Sequence, residues 1–176
     1  MYHYDLVILP VSGLASDGTT PDTNGLARIK ACAELVKSGM TCAIAISGGA
    51  NVPEGTPSVA ERYAQYFRTH YPDEAWTITI VDAGGNCTNR DLIALRPKLD
   101  TYLSGMCIKP SEARIGAVSF SSHLDRIKRV MLHMGYTQFV RRDQGARIIT
   151  DCAAASQLRN LARSRVALAG RPARMA

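Results

Sequence analysis

Short β-branched runs alternate along this chain with amphipathic stretches, and loops rich in Gly, Ser, Asp and Pro separate them. Leu6-Val7-Ile8-Leu9 is a continuous apolar run of strand length. Beyond a polar loop, Leu26, Ile29, Ala33 and Val36 recur at helical spacing, and Gly39 ends that helix. Cys42 to Ile46 predicts a second buried strand, closed by Ser47-Gly48-Gly49. Ser58 followed by Glu61 is a capping box, and the helix it opens carries Val59, Tyr63, Tyr66 and Phe67 on one face. Trp76 to Val81 predicts the third strand. Thr88 with Asp91 reads as a second capping pair, ahead of a stripe of Leu92, Leu95, Leu99 and Leu103. Arg114 to Phe120 predicts the fourth strand. Ser122 with Asp125 caps the next helix, which buries Leu124, Ile127, Met131 and Met134 and stops at Gly135. A fifth short strand falls at Thr137–Val140 or at Arg147–Ile149, and Asp151 caps a last helix through Leu158, Leu161 and Leu168.

Strands that alternate with helices specify a parallel sheet. The expected fold is α/β: a Rossmann-like three-layer sandwich with a mostly parallel sheet of about five strands and helices on both faces. One domain spans residues 1–176, with a basic tail over 170–176. Right-handed crossovers bring every strand-to-helix loop to the carboxyl edge of such a sheet. Ligands of open α/β sheets bind at that edge, close to the switch in strand order. The loops at 10–24, 47–57, 82–88 and 119–122 are therefore expected to meet. The helices that leave them offer unpaired backbone N–H groups and positive dipole ends, which suit phosphate or carboxylate.

Charge narrows the partners. Residues 139–176 hold eight arginines against two aspartates, a local +6 that equals the net charge of the whole 176-residue chain. Residues 1–138 are thus neutral overall, and a nucleic-acid surface, if present, would rest on the arginine-rich end alone. With aromatics at only 6% and none interleaved with that basic run, nucleic acid is not the expected partner. No apolar run approaches the roughly 18–20 residues of a membrane-spanning helix. Met1-Tyr2-His3-Tyr4-Asp5 lacks the basic start of a secretory signal. The five cysteines (Cys32, Cys42, Cys87, Cys107 and Cys152) are odd in number and show no C-x-x-C spacing, so they read as free thiols of a cytoplasmic protein.

Among the residues placed at the expected edge, Ser119-Phe120-Ser121-Ser122-His123-Leu124-Asp125-Arg126 carries the sharpest signal. An imidazole in a first helical turn with a guanidinium three residues on can bind phosphate, or couple proton transfer to charge neutralisation. Ser47-Gly48-Gly49 lets a ligand approach the backbone, yet it is neither a Walker loop nor G-x-G-x-x-G. Glu61 and Asp91 are candidates to position a hydroxyl or water, alongside His123 as the proton-transfer group. Asn86 and Thr88 add polar groups on the third loop. Cys87 at a helix start has the setting of an activated thiol but no assigned base. His3, His70 and His133 fall at no zinc spacing. A divalent ion held by Asp17, Asp82 or Asp91 together with a substrate phosphate is compatible with the composition of the loops. No G-x-S-x-G elbow occurs.

Read in order, these pieces resemble the bacterial YdcF, SanA and ElyC family. Leu6–Leu9 running into Gly13 and Asp17-Gly18 resembles its opening strand and loop, and Arg28 its helix arginine. Ser47-Gly48-Gly49 resembles the family's glycine turn, Glu61 its helix acid and Thr88 its next helix start. Ser119, His123 and Arg126 resemble its closing signature, so the likeness covers roughly residues 5–136. Asp91 stands where the family usually has Asn, and the membrane anchor of its envelope-associated members is absent. The resemblance implies a Rossmann-like fold with a polar pocket, and an association with nucleotide-like ligands such as S-adenosylmethionine. Together these readings make the chain an enzyme for a small anionic metabolite, phosphorylated or nucleotide-like, acting by hydrolysis or group transfer. Gly13, Asp17, Arg28, Ser47, Gly48, Gly49, Asn86, Thr88, Ser119, Ser122 and Arg126 would bind the substrate. The alternative is a binding module for a nucleotide or S-adenosylmethionine that uses the same pocket without turnover.

Overall fold

Alternate residues of the inner strands feed two different cores. Leu6 and Ile8 pack with Ala43, Ala45, Ile115 and Ala117 on one face of the sheet, while Val7 and Leu9 pack with Ile44, Ile46 and Val118 on the other. Strands buried on both faces read as unbroken apolar runs, which is why they were visible in the sequence. The computed structural model describes residues 3–143 apart from 51, 54 and 86, with backbone alone at 140–143.

The elements run β1 (Leu6–Pro10), α1 (Thr23–Lys37), β2 (Ile44–Ser47), α2 (Val59–His70), β3 (Ile78–Asp82), α3 (Thr88–Gly105), β4 (Arg114–Ser119), α4 (Ser121–His133) and β5 (Gln138–Asp143). Among the described residues the sheet has five strands in the order β3-β2-β1-β4-β5, and every pair is parallel. This is the Rossmann-like three-layer α/β sandwich expected. Helices α1 and α2 cover one face through Ile29, Ala33, Tyr63 and Phe67. Helices α3 and α4 cover the other through the expected stripes of Leu92, Leu95, Leu99 and Leu103, and of Leu124, Ile127 and Met131. Strand order reverses between β1 and β4, and the loops leaving these two strands diverge to opposite faces.

Four local expectations need correction. Strand β3 begins at Ile78, because residues Ala75–Thr77 form a 3₁₀ turn that leaves Trp76 66% exposed. Strand β2 begins at Ile44 rather than Cys42. Helix α3 starts at Thr88 and α4 at Ser121, but neither Thr88/Asp91 nor Ser122/Asp125 caps its helix: the N-cap residues are Cys87 and Phe120, without a side-chain bond. Thr88 bonds instead to His123 of α4, and Asp91 to Gly85 of the loop that leads into α3, as described below. By contrast, α2 has its capping box from Ser58 and Glu61, and Asp22 caps α1 by accepting from the Gly25 N–H. The fifth strand matches the Thr137–Val140 reading, one residue later and longer. The alternative strand at 147–149, the helix from Asp151 and the tail at 170–176 lie outside the described residues.

Candidate functional site

His123 joins two of the carboxyl-edge loops through its two ring nitrogens. Ser119, the last residue of β4, places Oγ 2.7 Å from Nδ1, and Thr88, the first residue of α3, places Oγ1 2.8 Å from Nε2. The strand-to-helix turn at Phe120 carries the chain from the buried Ser119 into α4 with His123 in the first turn, directly over the serine. Burial pushes the imidazole pKa down to about 4, and the charges of Arg28 and Arg126 push in the same direction. At neutral pH the ring is uncharged.

Arg28 approaches from the opposite face of the sheet. It projects from the buried side of α1 toward the end of β1, where Nη1 donates 2.8 Å to the Pro10 carbonyl. Its guanidinium carbon lies 5.4 Å from the centre of the Phe120 ring. The residue is only 4% exposed, its Nε has no hydrogen-bond partner, and it forms no ion pair among the described residues. Buried arginines ordinarily face a carboxylate, because the cost of desolvating the charge is otherwise uncompensated. Desolvation accordingly lowers the pKa of this group, against the pull of Tyr63, Asp22 and Cys32.

The glycine turn serves packing between loops. Gly48 and Gly49 have φ of +118° and +82°, a conformation that side-chain-bearing residues rarely adopt. A Cβ on Gly48 would come 2.9 Å from Val11 and 3.3 Å from the Asp91 carboxylate, and one on Gly84 would come 3.0 Å from the Gly48 Cα. Asp91 stitches this region together: its Oδ1 accepts from the Gly85 N–H at 2.8 Å, and its carbonyl oxygen is 3.5 Å from Ser47 Oγ. Burial raises the Asp91 pKa; the Gly85 N–H opposes this and Asp82 adds to it. Through Asp91 and Thr88, both on the first turn of α3, the glycine turn and His123 share one edge of the sheet.

Other expected site residues have local duties. Glu61 is exposed and spends Oε2 on the Ser58 N–H at 2.6 Å, so the cap accounts for it and depresses its pKa. Asp17 accepts from the Thr19 and Thr20 N–H groups inside its own exposed turn. Gly13 accepts at its carbonyl from the Tyr63 hydroxyl and the Asp22 N–H. Ser122 is exposed on the first turn of α4. Arg126 is exposed as well, and with Asn89, Arg129 and Val130 it lines a groove of about 340 Å³ between α3 and α4. Asn86 lies outside the described residues. A larger groove, about 450 Å³, runs along edge strand β3 beside Pro97, Lys98 and Tyr102. It shares no residue with the cluster around His123, so the chemistry points away from it.

Tyr63 was read from sequence only as part of an apolar stripe. Its buried hydroxyl accepts from the Ser12 N–H at 3.0 Å and reaches the Gly13 carbonyl at 3.2 Å, thereby shaping the loop after β1. A Cβ on Gly25 would fall 2.0 Å from that hydroxyl, so a glycine early in an amphipathic helix was the available signal. Phe120 was also missed; it is 38% exposed beside Arg28.

No group of three metal-binding side chains occurs among the described residues. The carboxylates considered for a divalent ion fit one poorly: Asp82 Oδ2 is paired with Lys98 Nζ at 2.6 Å, and Asp17 is consumed by its turn. Nor, among the described residues, is any helix long and apolar enough to cross a membrane. No family model, curated protein or solved structure matches the chain.

Proposed function

We propose that this protein is a cytoplasmic enzyme acting on a small anionic metabolite, phosphorylated or nucleotide-like, by hydrolysis or group transfer. The observation that carries this reading is the buried Arg28, whose Nε has no hydrogen-bond partner and whose guanidinium forms no ion pair among the described residues, Asp22 acting on it only at longer range. A bound oxyanion supplies both. Two features of the same edge favour an anion further. Of the four α-helices among the described residues, α3 and α4 begin without a side-chain cap, and these are the helices that carry Thr88 and His123. The positive dipole ends of these helices attract ligand oxygens. Arg126 adds positive potential from the α4 side. The likeness of Arg28, Thr88, Ser119, His123 and Arg126 to the YdcF, SanA and ElyC signature supports the same assignment.

In this reading Arg28 and the two helix starts neutralise and orient the anion. His123, uncharged at neutral pH, is the proton-transfer group, and a negative ligand beside it raises its proton affinity toward the working range. Asp91 holds the glycine turn against α3, and Glu61 holds α2; neither needs to touch substrate. The free thiols of Cys32, Cys42, Cys87 and Cys107 suit a reducing compartment.

A second reading, a binding module for a nucleotide or S-adenosylmethionine, is favoured by one feature. Both ring nitrogens of His123 are engaged by protein hydroxyls, which leaves no nitrogen free to meet substrate directly. A panel of phosphate monoesters, phosphodiesters, nucleoside polyphosphates and S-adenosylmethionine decides between them, assayed for turnover and for thermal stabilisation. The enzyme reading expects turnover of at least one compound and a loss of 100-fold or more in His123→Ala, on the scale of general acid–base catalysis. Stabilisation without turnover supports the module, and turnover unchanged in His123→Ala refutes the catalytic role.

A further inference from the structure

We infer that Ser119 selects one tautomer of His123, with the proton on Nε2, so that the Thr88 hydroxyl is turned outward as a hydrogen-bond donor to an oxyanion. A neutral imidazole has one donor and one acceptor, and each hydroxyl has a single proton to give. Two arrangements fit the distances of 2.7 Å to Ser119 and 2.8 Å to Thr88. If Nδ1 carries the proton it donates to Ser119, whose own O–H must then find another acceptor. Ser119 is fully buried, and His123 Nδ1 is the sole partner of its hydroxyl among the described residues. That arrangement therefore strands a buried donor, the more costly kind of unsatisfied group. If Ser119 donates to Nδ1, the ring proton sits on Nε2 and is given to Thr88 Oγ1. The Thr88 proton is then turned toward the partly exposed, uncapped start of α3, and both the Ser119 hydroxyl and the imidazole N–H are satisfied.

A second proton on the ring would again force Ser119 to accept and strand its hydroxyl, which agrees with the low proton affinity of His123. Ser119 is thus a positioning residue, acting through the imidazole. Thr88 is a specificity-determining residue, because an outward O–H selects a hydrogen-bond acceptor and rejects a ligand that presents only N–H groups there. The ligand class rests on the anion reading above, whereas the tautomer is a property of the empty protein.

Long-range ¹H–¹⁵N correlation spectra of ligand-free protein read the tautomer directly. A single population protonated on Nε2 is expected in the wild type, a mixture in Ser119→Ala, and recovery of the single form in Ser119→Thr. Protonation on Nδ1 in the wild type overturns the inference, and an unmixed Nε2 form in Ser119→Ala overturns the role of Ser119. Inorganic phosphate and acetate are then titrated against the wild type, Thr88→Ser and Thr88→Val. Affinity for whichever anion binds should survive in Thr88→Ser and fall about ten- to a hundredfold in Thr88→Val, the loss of a hydrogen bond to a charged acceptor. Equal affinity in Thr88→Val overturns the donor role. If neither anion binds while the wild type holds the proton on Nε2, the anion reading fails and the tautomer assignment stands.

Discussion

Replacing Arg28 by Met should cost little stability and remove anion binding, a combination that an ordinary buried residue cannot produce. The substitution removes the 2.8 Å bond to the Pro10 carbonyl, worth about 1.5–3 kcal/mol for a charged donor, and the stacking on Phe120, about 0.5–1 kcal/mol. It also removes an unsatisfied buried Nε, which costs about 1–3 kcal/mol, together with the desolvation of an unpaired charge. Methionine retains much of the packing volume. The opposing contributions leave a net change within about 1.5 kcal/mol of zero. Ile29→Ala, at the next buried position, should lose about 2–5 kcal/mol and serves as the contrast. Urea unfolding followed by far-ultraviolet circular dichroism is the appropriate assay, because the single tryptophan, Trp76, is largely exposed and reports poorly on the core. Repeated at an anion concentration of 100 Kd, the wild type should gain about 2.7 kcal/mol and Arg28→Met nothing. If Arg28→Met lost more than about 3 kcal/mol and kept the full ligand-induced gain, Arg28 would be a structural strut and the reasoning would be wrong.

Acid stability should report the depressed proton affinity of His123. Its folded pKa of about 4 lies below the ~6.5 of an unfolded histidine, so between those values the unfolded chain binds the extra proton. Stability should therefore fall as pH drops through this window and level off below it, by about 1–2 kcal/mol once screening of a partly exposed ring is allowed for; subtracting the curve of His123→Gln isolates the effect. Glu61→Ala should lower stability through loss of its half of the capping box while leaving anion affinity within about twofold, measured by chemical denaturation and calorimetry. Gly25→Ala should destabilise by about 2 kcal/mol or more, because the added methyl displaces the Tyr63 hydroxyl from Ser12 and Gly13; a thermal melt that matches the wild type would contradict that packing.

The architecture was legible because its inner strands are buried on both faces and its helices on one. The runs at Leu6–Leu9 and Ile44–Ile46 and the stripes from Leu92 to Leu103 and Leu124 to Met131 need no tertiary information to be seen. That the strand-to-helix loops share one edge followed from the parallel direction of the strands. Side-chain duties were less legible, because a polar residue near a helix start has several possible partners. Ser58 and Glu61 bond each other locally, so the capping box was correctly read. Thr88 and Asp91 have much the same spacing, yet His123 of α4 claims the one and the Gly85 N–H, in the loop before α3, the other. Gly48 and Gly49 looked like a cradle for ligand, and the neighbours that a side chain there would strike belong to Val11, Val59 and Asp91. Arg28 was singled out by resemblance and not by periodicity, since nothing in the spacing of α1 shows that a charge on its buried face lacks a partner. Tyr63 was hidden inside an apolar pattern, because the pattern counts the ring and ignores the hydroxyl.

The central claim, an oxyanion held between Arg28 and the Thr88–His123 pair, is tested most directly by a crystal structure of the protein grown with inorganic phosphate or with tungstate as its heavy-atom analogue. An anion is expected within hydrogen-bond reach of Arg28 Nε and Thr88 Oγ1, present in the wild type and lost in Arg28→Met. An empty edge at saturating anion, with Arg28 Nε turned onto a protein carbonyl or carboxylate, would contradict it.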